Sequence, residues 1–176
     1  MENPNKIIDD VLKKNKPALG GDYDKYKNHV CRVFLNCLLI DGEKKNEEKY
    51  AIASIFHDIG IWTNNTIDYL DPSVEQAKMY LNQTSKQHWI EEVTLMICWH
   101  HKITPYQGKH QEIVGNFRKA DWIDVSLSLV TFGLDKKKIK ESRRKLPNLG
   151  FHKFLIKKIV KNLFIHPLNP FPMFKK

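Results

Sequence analysis

Four side chains of this sequence could hold a cation between them: His29, the adjacent pair His57 and Asp58, and Asp121. The pair interrupts an apolar run, "IASIFHDIGIW" (52–62), which resumes at once with Ile59 and Ile61. Asp121 stands in the middle of a second apolar series, Val114, Phe117 and Val125. An ionised carboxylate buried without a partner costs several kcal/mol, so both need compensation. A divalent cation bound by both carboxylates, with neutral imidazoles filling further positions, would supply it. Imidazole with carboxylate suits Mn, Fe, Co, Ni or Zn better than Ca. The competing reading is ordinary ion pairing, because Arg118 precedes Asp121 by three residues and Arg32 follows His29 by three.

These residues can meet only if helices bring them together. Positions three and four apart share a helix face. Tyr26, Val30, Val33, Phe34 and Cys37 form a stripe with His29 at its edge, on a helix running from a capping Asp22 to Ile40 and ended by Asp41-Gly42. Ala51, Ser54, Ile55 and Asp58 share a face of a helix from Asn46 to about Gly60. Further helices are expected over 71–84, 86–102 (leading into His100 and His101), 110–132 (closed by Gly133), 135–146 and 150–164, after a short amphipathic one near the N-terminus. The line Val114, Phe117, Asp121, Val125, Ser128 would run along the helix over 110–132. The end, "HPLNPFPMFKK", has three prolines and is expected to lie extended on the surface, anchored by Phe171, Met173 and Phe174. No segment alternates with period 2, and there are no repeats. The fold class is therefore all-α: one domain over 1–176, a bundle of about seven or eight helices.

With 41% hydrophobic and 28% charged residues, the composition is that of a soluble globular chain. No apolar run approaches the roughly 18 residues of a membrane span, and the N-terminus has no signal-like apolar core, so a cytoplasmic protein is expected, without a membrane partner. Cys31, Cys37 and Cys98 are widely spaced in apolar segments and read as reduced thiols. The net charge of +9 is unevenly placed: residues 132–176 carry 13 Lys and Arg against 2 Asp and Glu. That basic extension is either a solvated face or an attraction for a polyanion; nothing else in the chain supports nucleic-acid binding. The oligomeric state, a homo-oligomer included, is open.

The order His, then His-Asp, then Asp on successive helices resembles the HD domain superfamily of metal-dependent phosphohydrolases. The matching pieces are "NHVCRVF" with His29, "FHDIG" with His57 and Asp58, and "RKADWID" with Asp121, 28 and 63 residues apart. The resemblance covers residues 20–131 and leaves the basic helical extension, 132–176, as decoration outside the HD core. It implies a compact helical bundle with a central site, one ion held by His29, His57, Asp58 and Asp121, and a small phosphorylated substrate such as a nucleotide, hydrolysed by a water the metal activates. "WHHK" (99–102) looks like the paired-histidine segment of members that hold two ions, so His100 or His101 could serve a second. Ser73, Val74 and Glu75 stand where those members have another histidine.

Within that reading, Asp58 could also orient the water, and His100 or His101 could protonate the leaving oxygen or hold the phosphate. Arg32, Lys102, Arg118 and Lys119 are the candidate phosphate clamps, each also readable as an ordinary surface charge. The alternatives are a di-iron oxygenase, which needs both ions, a hydratase of a small nitrile-like molecule, and a non-catalytic HD module that binds a nucleotide.

Overall fold

The computed structural model describes residues 5–42, 44–169 and 171–174. Its architecture is all-α. In chain order the helices are α1 (Lys6–Lys14), α2 (Lys16–Leu19), α3 (Tyr23–Asp41), α4 (Glu47–Phe56), α5 (Gly60–Thr63), α6 (Leu70–Gln83), α7 (Ile90–Trp99), α8 (Gln111–Val125), α9 (Lys136–Lys145) and α10 (Phe151–Ile165). Among the described residues no helix is long and apolar enough to cross a membrane. Cys31 and Cys37 are buried cysteines and Cys98 is a half-buried one.

Four helices make the centre: α3 lies along α8, and α4 and α7 close against them, while α1 and α6 pack outside α4 and α7. The expected stripe on α3 is the buried one, with Tyr26, His29, Val30, Val33, Phe34 and Cys37 all out of solvent. Local chemistry sets several ends. Asn5 and Asp135 cap α1 and α9 by accepting the amides of Ile7 and Lys137. Gly42 ends α3 with φ 70°, a left-handed conformation that glycine adopts without Cβ strain.

Asp22 makes no cap on α3; Lys25 Nζ and Trp62 Nε1 hold its carboxylate at 2.6 and 2.9 Å. Asn46 likewise turns its amide to Asp41 rather than to the start of α4. The largest difference from expectation is α8, which stops at Val125 instead of running to 132. Leu127 and Ser128 take positive φ, and Ser126 Oγ accepts the Val130 amide. The sequence there, "VSLSLV", pairs β-branched residues with serines whose hydroxyls compete for backbone bonds, so the helix has little to sustain it. Ser128 is therefore off the line that carries Asp121.

Candidate metal centre

Two of the polar pairs sit where helices end. α4 stops at Phe56 and α7 at Trp99, and the chain tightens into turns at His57–Ile59 and His100–His101. In each last turn a backbone carbonyl three residues back accepts the imidazole: Ser54 O takes His57 Nδ1 at 2.8 Å, and Ile97 O takes His100 Nδ1 at 2.6 Å. A carbonyl only accepts, so both Nδ1 atoms carry a proton. His57, lowered chiefly by burial, keeps a bare Nε2, whereas His100 is raised, burial opposing its charge and Asp58 and Asp121 favouring it.

His29, on α3, is fixed by a different partner. Its Nδ1 lies 2.7 Å from Asp124 Oδ2, one turn beyond Asp121 on α8. Its Nε2 also faces inward, 2.9 Å from His57 Nε2. His57 brings a lone pair to that contact, and in the metal-free protein the proton on His29 Nε2 lies between the two nitrogens. Around the same point stand Asp58 Oδ2, 3.6 Å from His29 Nε2 and 3.5 Å from His57 Nε2, and Asp121 Oδ1, 3.7 and 3.8 Å from the same two atoms. Metal–ligand bonds of roughly 2.1 Å set neighbouring ligand atoms roughly 3.0–3.5 Å apart, and the observed separations run from 2.9 to 3.8 Å. The ligating atoms form two groups within 4.8 Å of one another, His29 with His57 and Asp121, and His57 with Asp58 and His100.

The charges agree with the geometry. Asp124 is already neutralised: Arg32 grips it with Nε on Oδ1 at 2.6 Å and an Nη on Oδ2 at 2.9 Å, and Arg143 adds a contact at 2.9 Å. Burial would raise its carboxyl, but the hydrogen bonds from His29 and Arg32 outweigh that and hold it well below the usual range. Among the described residues neither Asp58 nor Asp121 pairs with Lys or Arg, and Asp58 Oδ1 is buried without a hydrogen bond. Without an ion, protons carry the balance. Burial opposes a charge on His29, yet Asp124 and Asp58 raise it to about 9. Burial, helped by His100 and His29, lowers His57 to about 3. Asp121 rises to about 7, first through burial and then through repulsion from Asp58 and Asp124. A divalent cation would displace the His29 proton and meet two carboxylates that have no Lys or Arg partner, so the donor set fits one.

The centre floors a cavity of about 310 Å³. Asp58, Asp121, His100 and His101 line its base, and its walls come from Ile61, Ile67 and Tyr69, from Trp122 and Val125 of α8, and from Leu155 and Ile159 of α10. His101 Nε2 lies 2.5 Å from Met173 O, while its Nδ1 is 3.2 Å from His100 Nε2, with Tyr69 Oη 3.4 Å away on the other side. The region beyond 131 is thus part of the site rather than decoration: Phe151 stacks on His29 with centroids 4.1 Å apart, and Met173 and Phe171 reach the cavity.

The expected phosphate clamps are elsewhere. Arg32 is buried on Asp124 and the carbonyls of Leu146 and Pro147. Arg118 holds the carbonyls of Lys102 and Ile103, Lys102 lies over the Trp99 ring, and Arg118 and Lys119 border a separate groove near Tyr106. None of the four lines the cavity. The Arg118–Asp121 and Arg32–His29 pairings that competed with a metal do not form; both arginines have other partners. Asp124 is the residue the sequence reading passed over. Its signal was present, since Asp121 and Asp124 are three apart on one helix as His29 and Arg32 are on another. Ser73, where a histidine was sought, instead accepts the Gly60 amide at 3.0 Å. That glycine is required by contact, because a Cβ there would lie 2.6 Å from Tyr69 O. Compared with protein-family models, with curated proteins and with solved structures, the chain matches none.

Proposed function

We propose that this chain is a divalent-metal-dependent phosphohydrolase of the HD type, with His29, His57, Asp58 and Asp121 as the residues that hold the ion. The observation that carries the reading is a buried cluster of imidazoles and carboxylates, two triads that share His57, in which neither Asp58 nor Asp121 has a Lys or Arg partner among the described residues and both line a cavity. When bound, such an ion supplies Lewis acidity and makes water a nucleophile near neutral pH.

The remaining roles fall to the chain's own groups. Asp58 Oδ1, buried and without a hydrogen bond, is available to accept one from the attacking water and aim it. His100 has its Nδ1 fixed by Ile97 O, so its cavity-side Nε2 is the atom that takes up or gives a proton. In hydrolysis the water oxygen bonds to phosphorus, the ester P–O bond breaks, and the leaving oxygen receives a proton from His100, which the proton released by the water replaces. Tyr69 and His101 flank that nitrogen and set its position.

The test is phosphate release from a panel of phosphate esters by protein loaded with Mn, Fe, Co, Ni or Zn, with Asp58→Ala as control. Metal-dependent turnover lost in the control supports the reading, and a full panel without any overturns it. A second reading, hydration of a small neutral nitrile-like molecule, is favoured by one observation: among the described residues no Lys or Arg lines the cavity. Amide formation from such a substrate, without phosphate release from any ester, would select it.

A further inference from the structure

The base of the cavity is polar and its walls are not. Above Asp58, Asp121 and the two histidines, the lining side chains are aliphatic or aromatic, and among the described residues they include no Lys, Arg, Asn, Gln, Ser or Thr. Among the described residues the one hydroxyl in the lining is that of Tyr69, turned to His100 at 3.4 Å, and the one further donor in the walls is the Trp122 indole N–H, which has no partner. A ribose or hexose placed here would give up hydrogen bonds to water for several hydroxyls and find too few polar groups to replace them. An alkyl or aryl group would instead remove apolar surface from water on both sides. A substrate bearing charge away from the metal would meet no counter-charge.

We infer that the cavity selects a small substrate with one metal-ligating head group and an uncharged, apolar body, and discriminates against nucleotides and sugar phosphates. The inference rests on reading the centre as a metal site that grips the head group, and narrows the substrate class for that site. The wall is supplied largely from outside the metal cage, by Leu155 and Ile159 of α10 and by Val125, so body selection and metal binding are separable by mutation.

The experiment measures binding rather than turnover. Zinc-loaded protein is titrated calorimetrically with phenylphosphonate, hexylphosphonate, ribose 5-phosphate and inorganic phosphate, and its metal content is measured in parallel. The expected result is at least tenfold tighter binding of the two apolar phosphonates than of ribose 5-phosphate or phosphate. Ile159→Gln should reduce that preference several-fold while leaving the metal content unchanged. Equal or tighter binding of ribose 5-phosphate overturns the inference, as does absence of binding by either phosphonate. The wild-type comparison decides this without the variant. If the phosphonates are preferred but no ester turns over, the hydrolase reading fails and the selection stands. A chain that takes up no metal overturns both.

Discussion

His29 and His57 point their Nε2 atoms at each other across 2.9 Å, each held in that orientation by a partner on its far nitrogen. Asp124 fixes one ring and the Ser54 carbonyl the other, so neither can turn its Nε2 away without breaking a buried hydrogen bond. The pair is a socket for positive charge, built by groups that do not touch the charge themselves.

The first expectation is uptake of a divalent ion with a thermal signature. At a free metal concentration a hundredfold above Kd, binding stabilises by about 2.7 kcal/mol, and for a chain of this size each kcal/mol moves Tm by about 2–4 °C. Melting curves with metal and with chelator should therefore differ by about 5–10 °C. His57→Ala and Asp121→Ala should abolish both that difference and the bound metal, read by elemental analysis.

Asp124→Asn should act in two ways. It strands the buried Arg32, and loss of one partner from a buried ion pair costs about 3–5 kcal/mol. It also releases His29, and losing an outer partner of a ligand lowers metal affinity about 10–100-fold. Denaturant unfolding in chelator measures the first effect and metal competition the second. Unchanged affinity would remove Asp124 as a positioning residue.

Stability of the metal-free protein should fall as pH rises from about 7 to about 9, above the range in which His57 and His101, both lowered to about 3, act in the opposite direction. His29 is raised to about 9 in the folded state, so its contribution is fully present below its unfolded value near 6.5 and is lost through 9. Asp121, raised to about 7, acts in the same direction, because its unfolded form ionises earlier. Metal affinity should rise over the same interval, since the ion displaces those protons. Melting temperatures across this pH range, with chelator and with metal, should diverge toward the alkaline end.

Gly60→Ala should destabilise by about 1–3 kcal/mol, the usual cost of overpacking. The added Cβ would fall 2.6 Å from a backbone carbonyl, that of Tyr69, which has no flexible end to swing away. Because Tyr69 also flanks His100, activity should fall further than the loss of folded protein accounts for, which turnover per folded molecule would show.

Much of this site was legible along the chain because helices make distance predictable. The stripe on α3 carries His29 inward, and the 3.6-residue period puts Asp121 beneath Phe117. What spacing cannot give is the partner chosen across the fold. Arg32 is three residues from His29, but its carboxylate is 92 positions away, and Arg118 is three from Asp121 yet binds loop carbonyls. Helix ends were the other loss: the stop at Val125 depends on serine side chains that cap or break according to context. The contribution of α10 was invisible for a related reason, since nothing local in "GFHKFLIKKI" says that Phe151 will lie on His29.

That α10 supplies one wall has an evolutionary corollary. The proposed ligands lie on α3, in the turn after α4 and on α8, whereas Leu155 and Ile159 sit on α10, which contributes none of them. Descendants of this chain could therefore drift at those two positions and acquire new preferences in what they accept, with the inorganic chemistry beneath inherited intact.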